Sequence, residues 1–98
     1  MLVLGIESHA AEECPGRDPN VMRQMAELLS EESASRAGLK VIGAYMNCAT
    51  PVTPGRHEGY FVVEAPSPES VSDYFTPHCK LRVQQVFSIV EQIKKMGM

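Results

Sequence analysis

What the chain lacks narrows its class first. Its 98 residues hold three cysteines, an odd number, and no two of them form a Cys-x2-Cys pair. A disulfide framework is therefore not expected as the source of stability. Each thiol is expected reduced, as a small hydrophobe, a metal ligand or a reactive group. No apolar run approaches the roughly 20 residues that span a bilayer. The apolar start Met1–Ile6 has no basic segment before it and is cut off by Glu7, so it does not read as a secretory signal. The nine Lys and Arg residues are scattered and the net charge is −3. Without a basic stripe, a nucleic-acid partner is not expected. No internal repeat or low-complexity segment interrupts the chain. These absences predict one cytoplasmic domain over residues 1–98, with neither membrane nor nucleic acid as partner.

What is present fits an ordinary globular domain: 44% apolar and 21% charged residues, near the usual shares. The first strand is expected from Leu2 to His9, with Leu2, Leu4 and Ile6 on one face and Val3, Gly5, Glu7 and His9 on the other. Asp18-Pro19 opens a helix, because Asp is a good N-cap and Pro suits the first helical position. Val21, Met22, Met25, Leu28 and Leu29 form its apolar stripe, and Gly38 supplies the positive φ that ends it. A second strand is expected over Leu39–Cys48, a proline loop over Ala49–Gly55, and a third strand over Gly59–Glu64. Ser67-Pro68 starts a short helix that Pro77 stops. A fourth strand spans Cys79–Phe87. Ser88 and Glu91 have capping-box spacing at the head of a C-terminal helix.

The order β-α-β-β-α-β plus a terminal helix is the ferredoxin-like, split-βαβ pattern of an α+β fold. A four-stranded antiparallel sheet is expected, with both inner helices on one face. Strands one and three are placed side by side at its centre, there read as parallel. The uncovered face is expected to carry some of Val3, Val41, Tyr45, Val62 and Val86, an apolar patch that a second sheet covers. The chain resembles the dimeric α/β-barrel superfamily, in which two such subunits pack sheet to sheet. Ser8-His9, Cys14-Pro15 and the stretch Gly59-Tyr60-Phe61-Val62-Val63-Glu64-Ala65 look like an uncharacterised branch of small proteins there. The resemblance implies a homodimer. Better-known relatives include cofactor-free monooxygenases, haem-degrading enzymes and muconolactone-isomerase-like proteins, so fold alone assigns no activity.

Three candidate sites follow from this topology. At the exit of strand one, His9, Cys14 and Cys79 are expected to converge, with His78, Glu12 or Glu13 near. Two thiolates and an imidazole suit zinc or copper, because soft sulfur and borderline nitrogen match those ions. The competing reading makes Cys79 a buried small hydrophobe, Cys14 a gap-filling loop residue and His9 a hydrogen-bonding partner of the loop. A nucleophilic Cys14 has conflicting signs: the helix start and His9 lower its pKa, while Glu12 and Glu13 raise it. Cys48 and His57 bracket the proline loop and are placed at the opposite end of the sheet, as a separate and weaker pair. Within the sheet cavity, Glu7, Tyr45, Arg82 and Gln84 are expected to line a small-molecule site, with Arg82 pairing Glu7 and Gly5 widening the space. A structural ion pair is the alternative there.

The leading expectation is a homodimer that binds a metal ion or small ligand through His9, Cys14 and Cys79. The second is a cofactor-free monooxygenase- or isomerase-like enzyme using Glu7 and His9 as acid and base. The third is a structural or interaction dimer.

Overall fold

A computed structural model describes residues 1–48 and 55–98; of the expected proline loop, positions 49–54 lie outside the described residues. Strand β1 (Leu2–Ala10) leads through two 3-10 turns (Ala11–Glu13, Pro15–Arg17) into helix α1 (Pro19–Leu28). Asp18 caps it, its carboxylate accepting from the Asn20 amide at 2.9 Å. The single helix expected up to Gly38 is two. Ser30 takes an extended backbone and its hydroxyl accepts from the Ser33 amide, starting α2 (Glu31–Arg36). A serine offers the backbone this local alternative to a continuing helix. Gly38 ends α2 at φ 76°.

Strands β2 (Lys40–Met46) and β3 (Arg56–Glu64) follow, then α3 (Pro68–Phe75), β4 (Arg82–Val86) and α4 (Ile89–Lys95). Strand β3 begins three residues earlier than expected and β4 three later, so Cys79 lies in the connection before β4. Ser67 and Ser70 form a reciprocal capping box at the head of α3. The sheet order is β2-β3-β1-β4, and every neighbouring pair is antiparallel. This α+β arrangement is consistent with a ferredoxin-like fold. Strands β1 and β3 are antiparallel rather than parallel, with His9 opposite His57. The chain dictates that: a helical crossover makes β1 and β2 parallel, and the β2–β3 hairpin then reverses β3 between them.

Helices α1, α2 and α3 cover one face of the sheet. Val3, Phe61 and Val63 meet Ala34, Val71 and Phe75 there in one core, with Phe75 fully buried and its ring 5.0 Å from that of Phe61. Burying one such side chain stabilises by roughly 1.5–3 kcal/mol. Tyr74 donates to the Leu28 carbonyl at the end of α1, leaving the Ser33 hydroxyl to donate to the Tyr74 oxygen. This ties α3 to the α1–α2 junction.

Alternation puts Val3, Gly5, Glu7 and His9 on the helix side, not on the open face. Val3 and the core-packed Val41 are thus removed from the expected open patch. The open face carries Leu2, Leu4, Ile6, Tyr60, Val62 and Val86, in register across β1, β3 and β4. The short axis of the molecule is 18 Å, enough for one sheet and one helix layer. Helix α4 stands apart from this core, with Ile89, Val90 and Met96 exposed.

Candidate metal centre

The antiparallel sheet gathers three chain segments at one end. Strand β1 leaves there through Glu7 and His9 on its helix-facing side. Strand β3 enters there, and the register pair His9–His57 brings the two rings to 5.5 Å, edge to face. The exit of β2 is clamped to the same place. Asn47 donates its amide to the Glu58 carbonyl at 3.2 Å, and its side-chain oxygen accepts from the Glu58 amide at 2.8 Å. That clamp delivers Cys48. The two 3-10 turns meet at Cys14, and Gly16 leaves room for its sulfur: a Cβ there would sit 3.4 Å from Sγ.

The result is a group of His9, Cys14, Cys48 and His57 whose ligand atoms all lie within 4.8 Å of one another. A tetrahedral ion with metal–sulfur bonds of about 2.3 Å and metal–nitrogen bonds of about 2.0–2.1 Å has ligand–ligand edges of roughly 3.3–3.8 Å. The cluster therefore needs to close by about 1 Å at its widest to hold such an ion. Two imidazoles and two thiolates form a complete four-ligand set of a type known in structural sites.

Glu7 completes the arrangement. His9 Nδ1 donates to its carboxylate, at 2.7 and 2.9 Å to the two oxygens. In the neutral ring this leaves the lone pair on Nε2, a buried atom with no hydrogen-bond partner among the described residues. A buried polar atom without a partner is costly, and a cation held by this group would give Nε2 one. Burial pulls the His9 pKa down, but the Glu7 carboxylate and the Cys14 sulfur push it up by more, so it ends above its ordinary value.

The thiols differ sharply. The His57 imidazole draws the Cys14 pKa down to about 6; burial opposes this, while His9 and the Gly16 amide assist. Cys48 moves up, through burial and the adjacent Cys14. Cys79 is pushed up to about 11, chiefly by burial and then by Glu7, and packs against the hydrophobic core. It belongs to the core on the β4 side, as the competing reading had it, and not to the cluster.

A cavity of about 240 Å³ abuts the group, with Glu7, His9 and Cys48 at one end and Met22, Met25 and Phe61 among its apolar walls. Tyr45 also lines it. Arg82 and Gln84 do not: they pair in register with Ile6 and Leu4, on the opposite face from Glu7. The expected Glu7–Arg82 pair is thus replaced by Glu7–His9. Gly5 does not widen the cavity either. A Cβ on it would meet Leu81 Cδ1 at 2.9 Å, so the space beside it is filled by that side chain.

Of the expected metal set, His9 and Cys14 come together, and Cys48 and His57 complete the group in place of Cys79. Parallel placement of β1 and β3 puts Cys48 and His57 at the opposite end of the sheet; the antiparallel pairing brings them here instead. The crossover-plus-hairpin rule was the signal available for finding it. No family model, curated protein or solved structure matches the chain. Fold and site together define an α+β protein with a His/Cys cluster that can hold a metal ion.

Proposed function

We propose that this chain is a metal-binding protein that holds zinc through His9, Cys14, Cys48 and His57, and that it works as a homodimer in a reducing compartment such as the cytoplasm. The mutual approach of the four ligand atoms, within 4.8 Å, carries the reading. Two thiolates neutralise a divalent zinc, and a mixed nitrogen–sulfur set suits it better than the sulfur-rich, lower-coordinate sites favoured by copper(I). The ion fastens the β1 exit, the Cys14 loop and the base of the β2–β3 hairpin to one another. Four protein ligands close its coordination, so its role is to organise this end of the sheet beside the cavity.

Elemental analysis of untagged protein tests this. Stoichiometric zinc is expected, lost in Cys14→Ala and Cys48→Ala and kept in Cys79→Ala. Stoichiometric copper in its place selects copper(I). Protein free of both metals, and unable to take up either on titration, overturns the reading.

A second reading rests on the Glu7–His9 pair at the wall of the cavity. A carboxylate-oriented imidazole beside an apolar space of this size suits acid/base work on a small molecule, as in a cofactor-free monooxygenase- or isomerase-like enzyme. Turnover by metal-free protein, lost in Glu7→Gln and His9→Ala but kept in Cys48→Ala, selects it over the metal site.

A further inference from the structure

We infer that Cys14 and Cys48 form a reversible thiol/disulfide couple, oxidised by hydrogen peroxide, whose closure empties the metal site. The two sulfurs lie within 4.8 Å of each other although their residues are 34 positions apart (48 − 14). Neither is deeply buried, and both are free thiols. Disulfide formation needs the sulfurs at about 2.05 Å. Cys14 sits between two short turns followed by exposed Pro15, Gly16 and Arg17. That exposed loop can make the approach without disturbing the sheet. Cys79 is not one of the clustered ligand groups and packs against the core.

The chemistry balances with peroxide as the only added reactant. The Cys14 thiolate attacks one peroxide oxygen; an S–O bond forms, the O–O bond breaks, and the second oxygen leaves as hydroxide and is protonated to water. The Cys48 thiol then attacks the sulfenic sulfur. The S–S bond forms, the S–O bond breaks, and the departing hydroxyl takes the Cys48 proton to leave as a second water. Two electrons pass from the sulfur pair to the peroxide. A metal ion held by the group loses both thiolate ligands and keeps only two imidazoles. The disulfide step stands on the sulfur pair alone; only the release of metal rests on the zinc reading.

Metal-free protein treated with hydrogen peroxide and mapped by mass spectrometry tests the couple. The expected product is an intrachain Cys14–Cys48 linkage, with Cys79 still alkylatable and dithiothreitol restoring all three thiols. In Cys48→Ser the reaction stops at a Cys14 sulfenic acid that dimedone traps. Linkage through Cys79, linkage between chains, or Cys14 and Cys48 left alkylatable in the wild type overturns it. A chromophoric chelator applied to zinc-loaded protein tests the release. One zinc set free per disulfide formed supports the switch, and oxidised protein that keeps its zinc sinks it. Protein that forms the disulfide yet never binds zinc overturns both the zinc reading and the release, while supporting the couple.

Discussion

Glu7 and His9 stand two residues apart on the same face of β1, and the carboxylate accepts from Nδ1 at 2.7 Å. Because alternate residues of a strand share a face, the spacing Glu-x-His puts both side chains on one side of β1, within reach of each other. The contact fixes the ring so that Nε2 is the nitrogen left for a ligand, the arrangement in which a carboxylate orients a metal-binding histidine.

Replacing the carboxylate by an amide tests that role. Glu7→Gln keeps the shape and a hydrogen-bonding oxygen but removes the charge. Zinc affinity, measured by chelator competition, is expected to fall by about 10–100-fold, the usual cost of losing such an outer partner. An unchanged dissociation constant would show that Glu7 does not orient the ligand.

The thiols should separate by pH. In metal-free protein the Cys14 pKa lies at about 6, drawn below its ordinary value near 9 chiefly by His57. An acid with a lowered pKa ionises earlier, so the iodoacetamide reaction at Cys14 is expected to rise with pH around a midpoint of about 6 and to be flat by neutrality, because the thiolate is the nucleophile. Cys79, at about 11, is expected to stay nearly inert there. In His57→Ala the Cys14 midpoint should move upward. A Cys14 profile that rises only near pH 9 contradicts the imidazole–thiolate contact.

Much of the fold was legible because its signals are local. Asp18-Pro19, Gly38, Ser67-Pro68 and Ser88 each mark a helix boundary by backbone chemistry that needs no distant partner. The break at Ser30 is masked in the sequence, because the apolar stripe through Leu28 and Leu29 reads as continuing. The site was legible only in part, since it depends on strand direction. His9 and Cys14 follow one another along the chain, and the structure brings them together. Cys48 and His57 reach them only if β3 runs against β1, and reading those strands as parallel sent the pair to the far end. Cys79 was drawn in by the same end-of-sheet reasoning. Sequence pattern could not show that it lies in the connection before β4, against the core.

The core predicts a large stability cost at one position. Phe75 is fully buried, between the rings of Phe61 at 5.0 Å and Tyr74 at 5.3 Å. Phe75→Ala is expected to destabilise by about 3–5 kcal/mol, as loss of transfer energy adds to the cavity left behind. Chemical denaturation, followed by far-UV circular dichroism, measures it. A cost below about 1 kcal/mol, typical of a surface substitution, would place this ring outside the core.

The open face of the sheet makes the last prediction. Leu4 lies near its centre, flanked in register by Val62 on β3 and Gln84 on β4. Four strands about 4.8 Å apart give a face roughly 19 Å wide. A stable interface buries about 800 Å² per partner, which a patch this narrow does not supply alone. Phe87, directly after the edge strand β4, and Ile89 and Val90 at the head of α4 are the exposed apolar residues that follow this strand in sequence. Both regions are therefore expected to contribute if a second copy covers the face. Leu4→Lys places a charge at its centre, and sedimentation equilibrium should show dimer replaced by monomer. Ile89→Lys should weaken the dimer without abolishing it, because Ile89 lies outside the sheet face itself. Circular dichroism on both variants separates dissociation from unfolding. Wild-type protein that sediments as a monomer at all concentrations removes the dimer, and Leu4→Lys protein that stays dimeric moves the interface off the sheet.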